Sequence, residues 1–470
     1  MRDEAMAGQG GAGEQAAAGQ AGVAKQALAG QGAGAGSQAK AGQSAGQNGE
    51  APPVIAPGAT IGVLGGGQLG RMMALAGSNL GYHFVTLDPA PDSPCGQVAG
   101  QIVARYDDQE AARQLAERSD VITYEFENVD AGVAALLEEL SYVPQGSKLL
   151  YTTQHRLREK RAIEAAGVKV APYAEIGSEE ELRAAVQRLG IPSVLKTATG
   201  GYDGKGQWVI RSEAEIGPAY AELSKAGTEL VLEQFIPFVK ELSVIAARSP
   251  RGEIKTFPVA ENIHVGNILH LSIVPARVEE RVQREAERLA ARIAEGMEAV
   301  GLLAVEMFLT AGGELFVNEL APRPHNSGHY TMEACTTSQF EQHVRAVCNL
   351  PLGKAELLSP VVMVNVLGEH LEAVREAMVS GGWPSEGSGK DAASWEGGSP
   401  AGRPLLDSAP ADGKTAGRQA GFPVIPKVHL YGKNGAAPKR KMGHINLLCR
   451  DVEDGLRWIE ETNIWRNERK

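Results

Sequence analysis

The chain has 470 residues and a formal net charge of -11, with a pI of about 5.5. That length supports two or three domains with real cores, and the acidic balance argues against nucleic acid or an anionic membrane as partner, so any phosphate must be held by local clusters. Four cysteines (Cys95, Cys335, Cys348 and Cys449) lack metal-ligand spacing and read as thiols of a reducing compartment. No apolar run approaches the roughly 20 residues of a spanning helix, and no basic stretch followed by an apolar core marks a signal peptide. A cytoplasmic protein is expected.

Residues 1–57 are almost entirely Ala, Gly, Gln and Ser. Such a stretch buries too little apolar surface to offset its ordering entropy, so a disordered tail is expected. From residue 58 to about 155, strands and helices alternate. Thr60–Leu64 reads as a buried strand, followed by Gly65-Gly66-Gly67-Gln68-Leu69-Gly70 and a helix through Leu80. His83–Asp88 is a second strand ending in an acid. Val121–Tyr124 is a later one, ending in acids at Glu125 and Glu127. This pattern predicts a parallel α/β unit with ligands at the carboxyl ends of its strands. Gly65, Gly67 and Gly70 match a dinucleotide fingerprint, with Asp88 where a ribose-binding acid belongs. The physics is more general, because glycines let amides at a helix N-terminus approach any phosphate. A nicotinamide nucleotide, a phosphorylated substrate and a plain strand-to-helix turn all fit.

Pro192-Ser193-Val194-Leu195-Lys196 reads as a short strand ending in lysine. The run Thr197 to Gln207 follows, with glycines at 200, 201, 204 and 206, and then the strand Trp208-Val209-Ile210. Two strands around a glycine loop with two lysines suit a flap over a triphosphate; a mobile surface hairpin is the plainer reading. No Gly-Lys-Ser/Thr and no helix follow, so this is not a P-loop. Glu229–Ile236 and Glu241–Ile245 are two more strands around a bend whose exposed backbone suits an adenine edge. Glu241 is placed to hold ribose hydroxyls, though solvated edge acids explain these residues singly.

Residues 281–300 carry Val282, Ala286, Leu289, Ile293, Met297 and Val300 on one helical face, stopped by Gly301. The apolar runs 302–309 and 315–320 then flank Gly312-Gly313, a hairpin signal. A turn centred on that pair puts Glu306 opposite Glu319, roughly 5 Å apart on one face. Facing carboxylates repel unless one is protonated or a cation lies between them. Two readings stand: a slipped register with one Glu in solvent, or a divalent metal such as Mg²⁺ held against nucleotide phosphates. Beyond the hairpin, residues 381–421 are rich in Gly, Ser, Pro and Ala and read as a surface-loop insertion.

In order, these segments resemble the ATP-grasp superfamily, and within it the N5-carboxyaminoimidazole ribonucleotide synthases. The motifs carrying the resemblance are Gly65 to Arg71, Tyr124 to Asn128, Gly200 to Gln207 and Asn318 to His329. It spans about residues 60–465 apart from the insertion. The resemblance implies an α/β, ATP-grasp fold with a Rossmann-like pre-ATP-grasp domain (58–155), a central ATP-grasp domain (156–350, flap about 170–240) and a small C-terminal β-rich domain (351–470). A homodimer is also implied. The reaction implied converts ATP, bicarbonate and 5-aminoimidazole ribonucleotide into the N5-carboxylated ribonucleotide, ADP and phosphate.

By the same resemblance, ATP contacts fall to Arg156, Lys196, Gly201, Tyr202, Asp203, Gly204, Lys205, Gly206, Gln207, Glu233, Gln234, Phe235, Ile236, Glu241, His264, Asn318 and Glu319. Glu306 and Glu319 hold Mg²⁺ or Mn²⁺. The ribonucleotide lies against Gln68, Leu69 and Glu125, with Tyr202 and Asp203 approaching from the flap and Lys433, Arg440 and Lys441 near its phosphate. Arg323, His325 and Asn326 reach the transferred phosphoryl group, and Asp203 and Lys205 complete the catalytic set. One departure is visible: the family pattern Arg-Pro-Gly-Arg-Lys-Met-Gly-His reads here Ala437-Pro438-Lys439-Arg440-Lys441-Met442-Gly443-His444. A formate-using sibling enzyme is an alternative that the 325–329 run disfavours. A nicotinamide-dependent dehydrogenase is another, which leaves the flap and the carboxylate hairpin unexplained.

Overall fold

The computed structural model describes residues 51–201, 205–384 and 424–466. Tyr202, Asp203 and Gly204, residues 1–50 of the expected tail and most of the 381–421 insertion lie outside the described residues. The first part comprises β1 (Thr60–Leu64), α1 (Gln68–Asn79), β2 (His83–Asp88), β3 (Gly100–Val103), α2 (Gln109–Glu117), β4 (Val121–Tyr124), α3 (Ala131–Leu140) and α4 (Gly146–Thr153). Its four strands are parallel in the order β3-β2-β1-β4. Ile61, Val63 and Val121 are fully buried, as strands covered on both faces must be. Asp108 and Asp130 start α2 and α3, accepting from Glu110 and Ala111 N–H and from Val133 N–H, which satisfies otherwise orphaned amides. Leu64, Asp88 and Tyr124 therefore end side by side, and the loops after them form one rim.

The expected tail stops short of residue 57. Asn349 Nδ2 donates to Pro52 O at 2.8 Å, and Ile55 N–H donates to Cys348 O at 3.0 Å, so these residues are tied to the fold.

Helix α5 (Arg156–Ala165) leads into β5 (Tyr173–Ile176), α6 (Glu179–Leu189), β6 (Ser193–Thr197), β7 (Gln207–Ile210), α7 (Ile216–Leu223) and β8 (Leu230–Gln234). These strands form an antiparallel sheet ordered β5-β8-β6-β7, closed by a small core that includes Leu182, Leu195, Ile210 and Leu232.

The remaining elements are β9 (Phe238–Arg248), β10 (Ile254–Thr256), β11 (Ala260–Val265), β12 (Ile268–Val274), α8 (Glu280–Gly296), β13 (Gly301–Thr310), β14 (Leu315–Ala321), α9 (Thr331–Ala334), α10 (Gln339–Val347), β15 (Val361–Leu367), α11 (Leu371–Ser380), β16 (Ile425–Leu430), β17 (Lys441–Leu448) and α12 (Val452–Thr462). They build one large sheet ordered β14-β13-β9-β11-β12-β15-β17-β16, with β10 on β9. The C-terminal strands are not a separate layer, because Leu271 to Val274 of β12 pair with Val361 to Val364 of β15. Helix α8 buries Val282, Ala286, Leu289 and Ile293 as its periodicity predicts. It ends earlier than residue 300: Glu298 adopts φ 52°, which a right-handed helix cannot propagate, and Val300 reaches the core from the loop. Among the described residues, no helix is long and apolar enough to cross a membrane.

Candidate active site

The β13–β14 hairpin brings the two predicted acids together. Near the turn, Leu309 pairs with Leu315 and Met307 with Val317, yet Glu306 pairs with Glu319. The turn is thus centred one half-step away from the predicted position, and a bulge at Asn318 restores the register. A bulge also re-aims side chains, a device frequent beside active sites. Burial first, then the charge of Glu319, pushes Glu306 up to about 8. Glu159 on α5 is likewise pushed up to about 8 by burial and then Glu319. Arg156 Nη1 lies 3.7 Å from Glu319 Oε2, and His325 Nε2 lies 3.2 Å from Glu306 Oε1.

Among the described residues, no group of three or more His, Cys, Asp or Glu could hold a metal unaided. Two carboxylates paired across the hairpin, with burial and the neighbouring charge of Glu319 both disfavouring the ionised form of Glu306, fit a divalent cation whose other ligands are phosphate oxygens and water.

A second cluster lies across the β6–β8 pair. Lys196 pairs with Val231 and Glu233 with Val194, so the two side chains are diagonal neighbours on one face. Lys196 Nζ donates to Glu233 Oε2 at 2.9 Å, and Lys160 Nζ lies 3.2 Å from Glu233 Oε1. Burial works to raise Glu233, but Lys196 and Lys160 together hold it at about 2. Ile236 is buried while Phe235 and Gln234 are exposed, which leaves the bend beyond β8 open to a ligand. Glu241 of β9 and His264 of β11 form an ion pair; burial opposes the imidazolium, but this partner overcomes it and raises His264 above its usual range.

The flap loop starts and ends in a defined frame. Thr197 N–H donates to Gly206 O at 2.8 Å, and Arg156 N–H donates to Ala198 O at 2.9 Å. Gly206 has φ +69°. Lys205 and Gln207 are exposed, and Tyr202, Asp203 and Gly204 are the three loop positions outside the described residues.

The first glycine loop behaves differently. Gly67 N–H donates to Glu125 Oε1 and Gly70 N–H to Glu125 Oε2 at 2.5 Å. Gly66 N–H donates to Asp88 Oδ2 at 2.8 Å, which also accepts from Tyr106 Oη at 2.6 Å. Asp88 is buried and turned inward, so the ribose-binding role that a dinucleotide fingerprint would give it is excluded. Glu125 is buried too, with both oxygens engaged by the loop. Leu69 packs its side chain into the core, leaving only its backbone, with Gln68, at the start of α1 for a ligand.

Arg323, expected at the phosphoryl group, is held by Glu127, with Nη2 donating to Oε1 at 3.0 Å and Nε to Oε2. Both polar side-chain atoms of Asn326 are buried without a partner, as expected of a group whose partner is a ligand. His325 Nδ1 lies 2.9 Å from Ser327 Oγ, which accepts from Ser243 Oγ at 2.7 Å. On the C-terminal side, Lys433 Nζ donates to Lys441 O at 2.9 Å, and Arg440 Nη1 donates to Gly435 O at 2.6 Å. Burial and then Arg440 push Lys433 down to about 8, while Glu125 attracts its charge. A cavity of about 670 Å³ opens beside the flap base, lined by Tyr106, Asn128, Arg158, Thr199 and Gly200 among others. Lys433, Arg440 and Lys441 do not line it, so it is not the expected phosphate pocket.

Sequence reasoning missed Glu159 and Lys160. The available signal was helical spacing: they follow Arg156 by three and four residues, which places all three on one face of α5.

The parallel first unit, the antiparallel flap and the acid pair on a hairpin of the large sheet define an ATP-grasp enzyme. The chain matches the ATP-grasp domain over residues 161–340, the ribonucleotide synthetase preATP-grasp domain over 58–154 and the phosphoribosylaminoimidazole carboxylase C-terminal domain over 417–457. It is 50% identical over 416 residues to the N5-carboxyaminoimidazole ribonucleotide synthase of Bacillus subtilis, covering 88% of this chain and 97% of that relative. The Staphylococcus epidermidis enzyme of the same name is 38% identical, over 84% and 94% of the two chains. A solved N5-carboxyaminoimidazole ribonucleotide synthetase complexed with ADP superposes with a TM-score of 0.77 at 50% identity, covering 89% of this chain and 100% of that one. An Aspergillus clavatus synthase complexed with ADP and 5-aminoimidazole ribonucleotide gives 0.73 at 28% identity, over 87% and 99%. The chain belongs to the N5-carboxyaminoimidazole ribonucleotide synthase family.

Proposed function

We propose that this chain carboxylates the exocyclic amine of 5-aminoimidazole ribonucleotide with bicarbonate, at the expense of ATP, as a carbon–nitrogen ligase of purine biosynthesis. The observation carrying the reading is the facing pair Glu306 and Glu319 set beside the buried Lys196–Glu233–Lys160 cluster in a family whose solved members hold ADP and this ribonucleotide.

Bicarbonate is a poor electrophile, so ATP first phosphorylates it to carboxyphosphate, releasing ADP; the amine then takes the carboxyl carbon, the bond to phosphate breaks and inorganic phosphate leaves. In such a transfer the protein chiefly positions groups and neutralises charge. Lys196 and Arg156 bind phosphate oxygens, the 234–236 bend takes the adenine and Glu241 the ribose. A divalent cation held by Glu306 and Glu319 would supply charge neutralisation between the phosphates. Asn326, with its amide unsatisfied, and His325 orient the bicarbonate or the acyl phosphate. Arg323 is held ready by Glu127. Carboxyphosphate reacts with water, so the flap from Gly201 to Gln207 closes over the site before transfer. The backbone at Gln68 and Leu69, with Lys433, Arg440 and Lys441, receives the ribonucleotide phosphate, and Asp203 handles the amine proton, since both oxygens of Glu125 already accept loop amides. Two copies assemble as a homodimer, which sedimentation would check.

The test is ADP release with bicarbonate and the ribonucleotide omitted in turn. Full activity is expected when both are present, and ADP formation that ignores the ribonucleotide would overturn the substrate.

A further inference from the structure

Lys160 is a lysine with about 1% of its side chain exposed, facing a carboxylate about 5% exposed. Its Nζ makes no hydrogen bond, and neither does Glu233 Oε1; the two are held as an ion pair at 3.2 Å. Tyr173 places its ring 5.8 Å from the same ammonium. The other carboxylate oxygen, Oε2, belongs to Lys196 at 2.9 Å. One buried carboxylate therefore has two lysines, more counterion than its own charge requires.

We propose that Lys160 is a positioning residue for the nucleotide's phosphates: by holding Glu233, it lets Lys196 leave that carboxylate and bind the phosphate chain. The inference rests on the reading that Lys196 contacts phosphate. With Lys196 alone, drawing its ammonium toward ATP would strand a buried carboxylate, which is strongly disfavoured. Lys160 removes that penalty because Glu233 keeps a cation throughout. Arg156 and Lys160 both repel Lys196, which favours its departure once an anion is offered. Lys160 itself starts a turn deeper on α5 than Arg156 and is walled in by the protein, so it acts through Lys196 and touches no substrate.

The test is equilibrium binding of ATP and of adenosine to the full chain without bicarbonate or ribonucleotide. In K160M, Lys196 stays locked on Glu233, so ATP affinity falls about tenfold or more while adenosine affinity changes less than about threefold. In the E233Q background no carboxylate needs a counterion, and adding K160M costs less than about threefold. Equal losses for ATP and adenosine in K160M, or a tenfold ATP loss that persists with E233Q, overturn the proposal. If K160M does not fold, K160Q and K160Q/E233Q are read in its place with the same expected and overturning outcomes. K196M isolates the premise. An unchanged ATP affinity there overturns the phosphate role of Lys196 and the proposal with it, whereas a loss in K196M without one in K160M overturns only the role of Lys160.

Discussion

Two glycine loops of similar composition have opposite physical roles. In the loop after β1, a Cβ on Gly65 would lie 2.4 Å from Glu125 Cγ, and one on Gly66 would lie 2.7 Å from Asp88 Cβ. The amides of Gly66, Gly67 and Gly70 are already held by those two acids. In the flap loop, a Cβ on Gly200 would meet nothing within 4 Å, and that residue has φ +74°. The first loop needs glycine so that strand, helix and two carboxylates can pack together. The second needs it because its backbone must turn through a left-handed conformation. A glycine fingerprint reports permissiveness only; whether its amides can take a phosphate depends on what already occupies them.

If chemistry belongs to the flap side and structure to the first loop, substitutions should separate cleanly. The largest effect is expected for Glu319→Gln, which removes one of the facing acids. Turnover should fall about a hundredfold or more, while thermal unfolding stays near that of the parent, since 45% of the Glu319 side chain is exposed. Near-normal turnover would take Glu319 out of the proposed metal site. Glu125→Ala is expected to show the reverse emphasis. Two buried amides lose a charged acceptor, at a cost of about 2–5 kcal/mol, readable as a lower urea midpoint with an unchanged slope. Unaltered stability would mean the first loop is not saturated from within.

A milder pair isolates the glycines. Gly65→Ala must move Glu125 and Phe126 as well as accept φ +110°, so a loss of about 3 kcal/mol is expected from overpacking and strain together. Gly200→Ala meets only the backbone cost, about 1 kcal/mol. Equal losses in denaturation would erase the distinction between the loops.

Much of this was legible because it rests on local rules. The strand-to-helix rhythm of 60–124 and the apolar stripe of α8 follow from periodicity. The pairing of Glu306 with Glu319 was reached by counting from Gly312-Gly313, although the actual turn is centred differently and a bulge compensates. What stayed hidden depends on long-range contacts. Nothing near Asp88 in sequence says that it faces Gly66, 22 positions earlier. Nothing near Glu127 names Arg323 as its partner, 196 positions later. The β12–β15 pairing that joins the C-terminal strands to the large sheet is likewise a tertiary fact with no local signature. Lys160 had a local signal in its spacing from Arg156, but its meaning came only with Glu233 on β8.

A last expected effect is a pH dependence at Lys433, whose charge Glu125 beneath the first loop attracts. Lys433 is pushed down to about 8 by burial and then by Arg440. Below that pH its ammonium is available to a substrate phosphate, and above it the charge is lost. KM for the ribonucleotide should therefore rise through pH 8, by about tenfold at pH 9 if only the charged form binds, while KM for ATP stays flat. Stability should move the other way. Between about 8 and the ordinary 10.5 the unfolded chain binds more protons than the folded one at this site, so folding is favoured as pH rises through that window. Opposite slopes for binding and folding distinguish Lys433 from a general alkaline loosening of the protein, which would weaken both. In K433R the guanidinium remains charged, and the rise in KM should disappear. A rise that persists in K433R would place the titrating group elsewhere.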